Sequence, residues 1–356
     1  MSDNPIDPQT DDEIPEFIGS YKIDGPLGLG GMGRVYAARH KTLNIPVAIK
    51  VFFRDVLEKP ASAKRFIQEA RLAASIEHIN LVRVMECGND EFGHPYYVME
   101  KMKSSILSEM QRSGSYSERD AIDIGESVAR GLAAAHSHNI IHRDIKPDNI
   151  MLSVDGLYKV GDLGLAKLQD AEQSSPSLTM TKTGLGTPHF MAPEQALDAA
   201  NADERADIFS LGASLYFMVT GKKPFEGESV QAIINENYEK GAPDPNKHNP
   251  DLSAGFCQLV QKAMSYKAED RHQTMADLHQ ELVDLRHQFH DSVKPIHFDT
   301  CFDLSASKKE EISRLVAATE KKFQEIPHDS KANRKLYIVL VLLAVIIILI
   351  LKKVAF

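Results

Sequence analysis

The sequence predicts an α+β protein: a small β-rich part first, a larger helical part after it, and one apolar helix near the C-terminal end. Three observations predict it. From Tyr21 to Phe52, short apolar alternations are broken by glycines, the texture of strands joined by turns. After residue 104 apolar side chains recur every three or four positions, as at Ala121, Ile124, Val128, Leu132 and Ala135, which is a helical period. Finally, Leu336 to Leu351 runs for sixteen residues without a charge. A chain of 356 residues has room for one large two-lobed core and a tail.

Charge and cysteine content narrow the function classes. The formal net charge is −9, but Asp3, Asp7, Asp11, Asp12, Glu13 and Glu16 all fall in the first twenty residues, which hold no Lys or Arg. With Pro5, Pro8, Pro15 and few apolar side chains, residues 1–20 read as a disordered acidic leader. No basic field remains to bind nucleic acid. Cys87, Cys257 and Cys301 are far apart and without metal spacing, as expected of reduced thiols in a cytosolic compartment. The fourteen histidines form no zinc pattern, and His136 and His138 read as a solvated helix end. No basic segment followed by an apolar run opens the chain, so no signal peptide is expected.

Taken in order, the elements carry a set of chemical motifs. Gly28, Gly30 and Gly33 in LGLGGMGRVYAARH suit a hairpin over nucleotide phosphates, because backbone amides approach a phosphate closely only where no Cβ intervenes. A dinucleotide-binding turn is the rival, and it fails on context: Val35 to Ala38 continues as a strand where that turn needs a helix. Pro46 ends the next turn before the strand Val47–Phe52, which contains Lys50. Residues 61–76 show the helical period at Phe66, Ile67, Ala70, Ala73 and Ala74, with Glu69 on the edge of that face, aimed back toward the sheet. Tyr96–Met102 is a buried strand running into an exposed connector. The stretch HRDIKPDN, His142 to Asn149, supplies a carboxylate to accept a proton, a lysine to neutralise a travelling phosphoryl group and an amide to hold a metal, which is what phosphoryl transfer needs. Asp162 follows in KVGDLGLAK, and Ser174–Thr183 is a polar stretch without core pattern. Asp207–Phe225 reads as an apolar helix opened by Asp207, and Ala276–Phe289 as the last helix of the larger part, with Leu278, Leu282, Leu285 and Phe289 inward.

In this order the glycine pattern, VAIK, HRDIKPDN, KVGDLGLAK, GTPHFMAPEQ and Arg271 in KAEDRHQTM resemble the protein kinases, and most of all the bacterial, eukaryote-like serine/threonine kinases. The resemblance spans Tyr21 to roughly His290. It implies a bilobal protein kinase fold, with ATP and Mg²⁺ (Mn²⁺ as an alternative ion) bound between the lobes. By resemblance, Asp144 is the catalytic base, Lys146 stabilises the transferring phosphoryl group, and Lys50 pairs with the helix-C residue Glu69 on the α and β phosphates. Thr187 bridges Asp144 and Lys146, and Asn149 and Asp162 hold the metal. Leu27, Gly28, Gly30 and Gly33 cover the nucleotide. Val35, Ala48 and Met151 sandwich the adenine, Met99 stands behind it, and backbone groups of Glu100 and Met102 meet its edge. Arg143 is the expected reader of a phosphate on Thr179, Thr181 or Thr183, and Glu194 pairs with Arg271. The chain departs from the family at Leu163, where an aromatic is usual. The departure puts packing rigidity in doubt more than metal binding.

The expected organisation is a leader at 1–20, a kinase domain at 21–290, a juxtamembrane linker at 291–335 and a transmembrane helix at 336–352. Sixteen apolar residues reach ~24 Å at ~1.5 Å per residue, short of a ~30 Å hydrocarbon core, and the flanking Arg334, Lys335, Lys352 and Lys353 make up the difference by snorkelling. Lys331, Arg334 and Lys335 place the kinase domain on the cytoplasmic side of a single-pass anchor. No extracellular sensor is expected beyond the span. Within the linker, Ser307–Ile326 reads equally as a self-associating helix that makes a homodimer and as an amphipathic spacer. Two other functions compete: a pseudokinase adaptor at the membrane, opposed by the presence of Lys50, Asp144 and Asp162, and a small-molecule phosphotransferase, opposed by Ala192-Pro193-Glu194.

Overall fold

In the computed structural model, residues 14–30, 33–53, 73–91, 93–163, 188–197 and 202–292 are described. Expectations for Glu69, Thr179, Thr181, Thr183, Thr187, the linker and the apolar tail lie outside them. The chain divides into two units, 1–292 and 293–356, and every described residue lies in the first.

Six strands make one antiparallel sheet: β1 (Phe17–Ile18), β2 (Tyr21–Gly30), β3 (Gly33–His40), β4 (Pro46–Phe52), β5 (Val84–Asn89) and β6 (Pro95–Glu100), in the order β1-β2-β3-β4-β6-β5. Side chains alternate across a pleated strand, and here the alternation separates packing from chemistry. Tyr36 and Ala38, Val47, Ile49 and Val51, and Tyr96 and Val98 bury one face together with Ile18, Tyr21 and Ile23. The intervening positions, Val35, Ala48, Lys50, Tyr97 and Met99, belong to the other face. The register pairs Lys50 with Val35 on one side and with Tyr97 on the other, and Ala48 with Met99. At the base of the β2–β3 hairpin only glycine fits at Gly33, since a Cβ there would collide with the Val51 carbonyl. The expected leader must be shortened. Phe17–Ile18 pairs with Tyr21 and Lys22, and Ile18 is buried, so these residues belong to the sheet.

The second part begins with β7 (Ser104–Ser105) and α1 (Ile106–Ser113), then α2 (Glu118–His136), β8 (Ile150–Leu152) and β9 (Tyr158–Val160). After a gap in the described residues come α3 (Pro193–Leu197), α4 (Arg205–Thr220), α5 (Val230–Lys240), α6 (Ala254–Ala263) and α7 (Met275–Ser292). The helical reading of 104–140 breaks at Gly114 because two separate caps operate. Ser105 and Ser108 form a reciprocal capping box on α1, and Ser117 accepts from the Asp120 N–H at the start of α2. α4 is apolar almost all round and accordingly buried from Ala206 to Tyr216, as a helix at the centre of a lobe must be. It starts two residues before Asp207 and stops at Gly221, whose φ of 68° closes the last turn in the left-handed region. α2, α6 and α7 pack around it. Among the described residues no helix is long and apolar enough to cross a membrane.

Candidate active site

The loop from His142 to Asn149 is held from below by α4. The buried Asp207 carboxylate accepts the backbone N–H of His142 at 2.8 Å and of Arg143 at 2.7 Å, and His136 Nε2 lies 2.8 Å from the same group. Burial by itself would raise the Asp207 carboxyl, but the hydrogen bond and charge of His136, with those of His142, hold it below the usual carboxylate range. Arg143 takes φ = 64°, a conformation that a side chain other than glycine adopts only when its surroundings impose it. His142 is fully buried. Its Nδ1 accepts the Asp144 N–H at 3.3 Å, so Nε2–H donates to the Gly161 carbonyl at 2.7 Å and ties this loop to the Asp162 segment. Lys146 Nζ lies 3.0 and 2.8 Å from the two Asp144 oxygens. The Asn149 amide NH₂ donates to the Asp144 carbonyl at 2.8 Å and to Oδ2 at 3.0 Å. That orientation commits the nitrogen, so a metal donor from this side chain would have to be Oδ1. The Asp144 side chain is 38% exposed and so remains accessible to an incoming hydroxyl.

Opposite this loop, Lys50 Nζ donates to Asp162 Oδ2 at 2.7 Å, and the Tyr97 hydroxyl donates to Oδ1, also at 2.7 Å. The Asp162 side chain is partly buried, 29% exposed, and the residue sits at φ = 54°. Burial would raise its carboxyl, yet the charge of Lys50 and the hydrogen bonds from Lys50 and Tyr97 keep it below the ordinary range and therefore ionised at neutral pH. The Tyr97 phenol moves the other way, well above its ordinary value, through burial and the adjacent carboxylate. Leu163 is partly buried against the core of the helical part.

Beside this centre, the sheet face that carries Lys50 also carries Val35, Ala48 and Met99, and β8 carries Met151. Ala48 is buried, while Val35, Met99 and Met151 are half-buried, and Leu27 and Leu29 stand exposed on β2 above. A Cβ added at Gly28 would meet no protein atom within 4 Å, so space is left there for a ligand. Met102 and Glu100 lie on the connector between the two parts. The Glu100 N–H is donated to the Arg83 carbonyl at 3.0 Å, so any base-edge bond from this residue falls to its own carbonyl. Its carboxylate takes Lys159 Nζ at 2.7 and 2.9 Å and the Arg83 N–H at 2.8 Å, fastening the connector to β9 and to the residue before β5. In the helical part, Arg271, whose side chain is fully buried, holds Glu194 in a two-pronged pair at 2.6 and 2.8 Å.

The sequence profile of the protein kinase domain matches residues 21–283. The chain belongs to the protein kinase family. Serine/threonine-protein kinase PknB of Mycobacterium leprae is 34% identical over 273 residues, which cover 76% of this chain and 43% of that protein. Serine/threonine-protein kinase pkn3 of Myxococcus xanthus is 32% identical over 272 residues, 74% of this chain and 50% of that one. The chain therefore spans about half or less of the length of these curated relatives. Among solved structures, the PknI kinase domain of Mycobacterium tuberculosis superposes with a TM-score of 0.60 at 21% identity, over 76% of this chain and 99% of that domain, a likeness of fold.

In this kinase fold Lys50 pairs with Asp162, Asp144 pairs with Lys146 and Asn149, and His142 and Asn149 tie the two groups through Gly161, while Val35, Ala48 and Met99 share one face of the sheet and Met151 lies on β8. Four kinase residues with site roles went unnoticed in the sequence. Asp207 read as a helix opener but is the buried anchor of the catalytic loop. His136 read as a solvated helix end but is buried against Asp207, with Glu204 3.1 Å from its Nδ1, whereas His138 is exposed as expected. Gln195 donates to the Arg143 carbonyl at 2.8 Å. Tyr97 lies two positions before Met99, and the period of two would have placed it on the nucleotide face.

Proposed function

We propose that this chain is an ATP-dependent serine/threonine protein kinase. The observation that carries the reading is the placement of the Lys146 and Asn149 side chains each within 3.0 Å of the Asp144 carboxylate, with the Asp162 carboxylate held by Lys50. The residues fit the ligands that this family uses. Gly28 leaves room beside the β2–β3 hairpin for phosphates, and one carboxylate with one amide oxygen is the sparse, hard donor set that suits Mg²⁺ alongside phosphate oxygens and water. When bound, the ion neutralises charge on the phosphates.

In this reading the chain's own groups divide the work. Asp144 orients a Ser or Thr hydroxyl and accepts its proton, while Lys146, already beside that carboxylate, turns its ammonium to the phosphoryl group in transit. Lys50 exchanges Asp162 for the α and β phosphates of the nucleotide, and the apolar side chains of Val35, Ala48, Met99 and Met151 exclude water from the base. Arg143 clasps a phosphate carried on Thr179, Thr181 or Thr183 and so couples activation-loop autophosphorylation to the catalytic loop.

The test is to incubate the purified chain with labelled ATP, Mg²⁺, a generic protein acceptor and an aminoglycoside, beside Asp144→Asn. Label on protein serine or threonine, including one or more of the three loop threonines by mass spectrometry, is the expected result. Label on the aminoglycoside alone would contradict it.

The segment 336–352 is proposed to anchor the kinase domain at the cytoplasmic face of a membrane, on the strength of its sixteen uncharged residues between basic flanks. The full chain should sediment with membranes and resist extraction by salt and alkaline carbonate, and truncation after Lys335 should release it. A full chain that stays in the supernatant would contradict the anchor.

A further inference from the structure

We propose that Tyr97 is a positioning residue for the metal carboxylate: its phenol keeps Asp162 Oδ1, so that Oδ2, held meanwhile by Lys50, is the oxygen given to the metal. The proposal rests on the assignment of Asp162 as a metal ligand. Its basis is the geometry of two donors on one carboxylate. Tyr97 and Lys50 are cross-strand partners on β6 and β4, and both side chains reach the same group across the cleft, each at 2.7 Å. They differ in freedom. Lysine has a four-carbon stem and three donors, so its ammonium can leave one acceptor for another without losing hydrogen bonds. Tyr97 is 4% exposed, with its ring 5.7 Å from that of Phe52 and packed among Val84, Cys87 and Met99. Its single O–H would be left without a partner if it released Asp162, a cost that a buried donor does not bear lightly. One donor is thus exchangeable and the other fixed.

The need for such a restraint is visible at the neighbouring position. Asp162 occupies a left-handed backbone conformation, and the residue after it is Leu163, which packs without the flat stacking surface of an aromatic ring. The orientation of the carboxylate therefore depends on what touches its oxygens. A hydrogen bond from a packed phenol sets it before the ion arrives, as the outer partners of metal ligands commonly do.

The test measures ADP affinity by calorimetry on the full chain, with and without Mg²⁺, for wild type, Tyr97→Phe and Asp162→Asn. ADP prevents turnover, so the readout is binding and not catalysis. Tyr97→Phe should leave metal-free ADP affinity unchanged and lose about tenfold of the Mg²⁺-dependent gain. Asp162→Asn should lose the gain altogether. An equal or larger gain in Tyr97→Phe, or a loss of the same factor with and without Mg²⁺, would overturn the proposal, the second outcome marking a purely structural tyrosine. If Tyr97→Phe does not fold, Tyr97→Met, which also fills the site without a donor, is held to the same criteria. Full retention of the gain in Asp162→Asn would overturn the metal assignment, and the proposal with it.

Discussion

Asp207 shows how one buried carboxylate can determine the shape of a catalytic loop. It lies 65 residues from His142 in sequence, yet its two oxygens receive consecutive N–H groups of the HRD stretch, and this grip accommodates the positive φ of Arg143. Such a conformation costs about 1–3 kcal/mol for a residue other than glycine and persists only where the surroundings fix it. Asp207→Asn is the direct check. An asparagine offers one oxygen to two N–H donors and turns an NH₂ toward the other, so stability should fall by about 1–3 kcal/mol. Because Asp144 follows immediately, kcat should fall by about ten- to a hundredfold with little change in nucleotide affinity. Denaturation and steady-state kinetics on the same preparation measure both, and a wild-type kcat would contradict the role. The residues proposed to touch the reaction were legible in the sequence, because phosphoryl transfer demands particular side chains at particular intervals: Lys50, Asp144, Lys146, Asn149 and Asp162 announce themselves. Asp207 and His136 did not. Their meaning comes from contacts made by folding, and an aspartate or histidine near a helix end has a plain local explanation.

At the scale of elements, the strands and helices followed from periodicity wherever one face was buried. The β3, β4 and β6 alternation put packing on one face and chemistry on the other, and the all-round apolar pattern of α4 placed it at the centre of its lobe. Local caps were harder to see, which is why one continuous helical stretch proved to be α1 and α2 separated at Gly114. The tie between α3 and the segment before α7 was read correctly from two residues 77 positions apart, Glu194 and Arg271, but only through resemblance. Its physical basis is now explicit. The Arg271 guanidinium also donates to the carbonyls of Ser265, Arg205 and Tyr266, so five acceptor oxygens converge on one buried group. Arg271→Lys keeps the charge and loses the planar fork. It should destabilise the helical lobe by about 3–5 kcal/mol, as expected when a buried pair is broken. Urea unfolding reports the change, and a loss under about 1 kcal/mol would show that a single ammonium suffices.

For the whole molecule, the fold explains why the proposed reaction site lies where the sheet meets the helices. The sheet supplies Lys50 and Tyr97, the β8–β9 region supplies Asp162, and the loop over α4 supplies Asp144, Lys146 and Asn149. No single element holds a competent set. The Glu100–Lys159 pair fastens the connector between the two parts to β9. The decisive measurement is the turnover of the full chain against Asp144→Asn at saturating ATP and Mg²⁺ with a protein acceptor. Asp144 acts on the hydroxyl and not on the nucleotide, so the account predicts a fall in kcat of at least about a hundredfold with ATP affinity unchanged. Transfer by Asp144→Asn at the wild-type rate would contradict it.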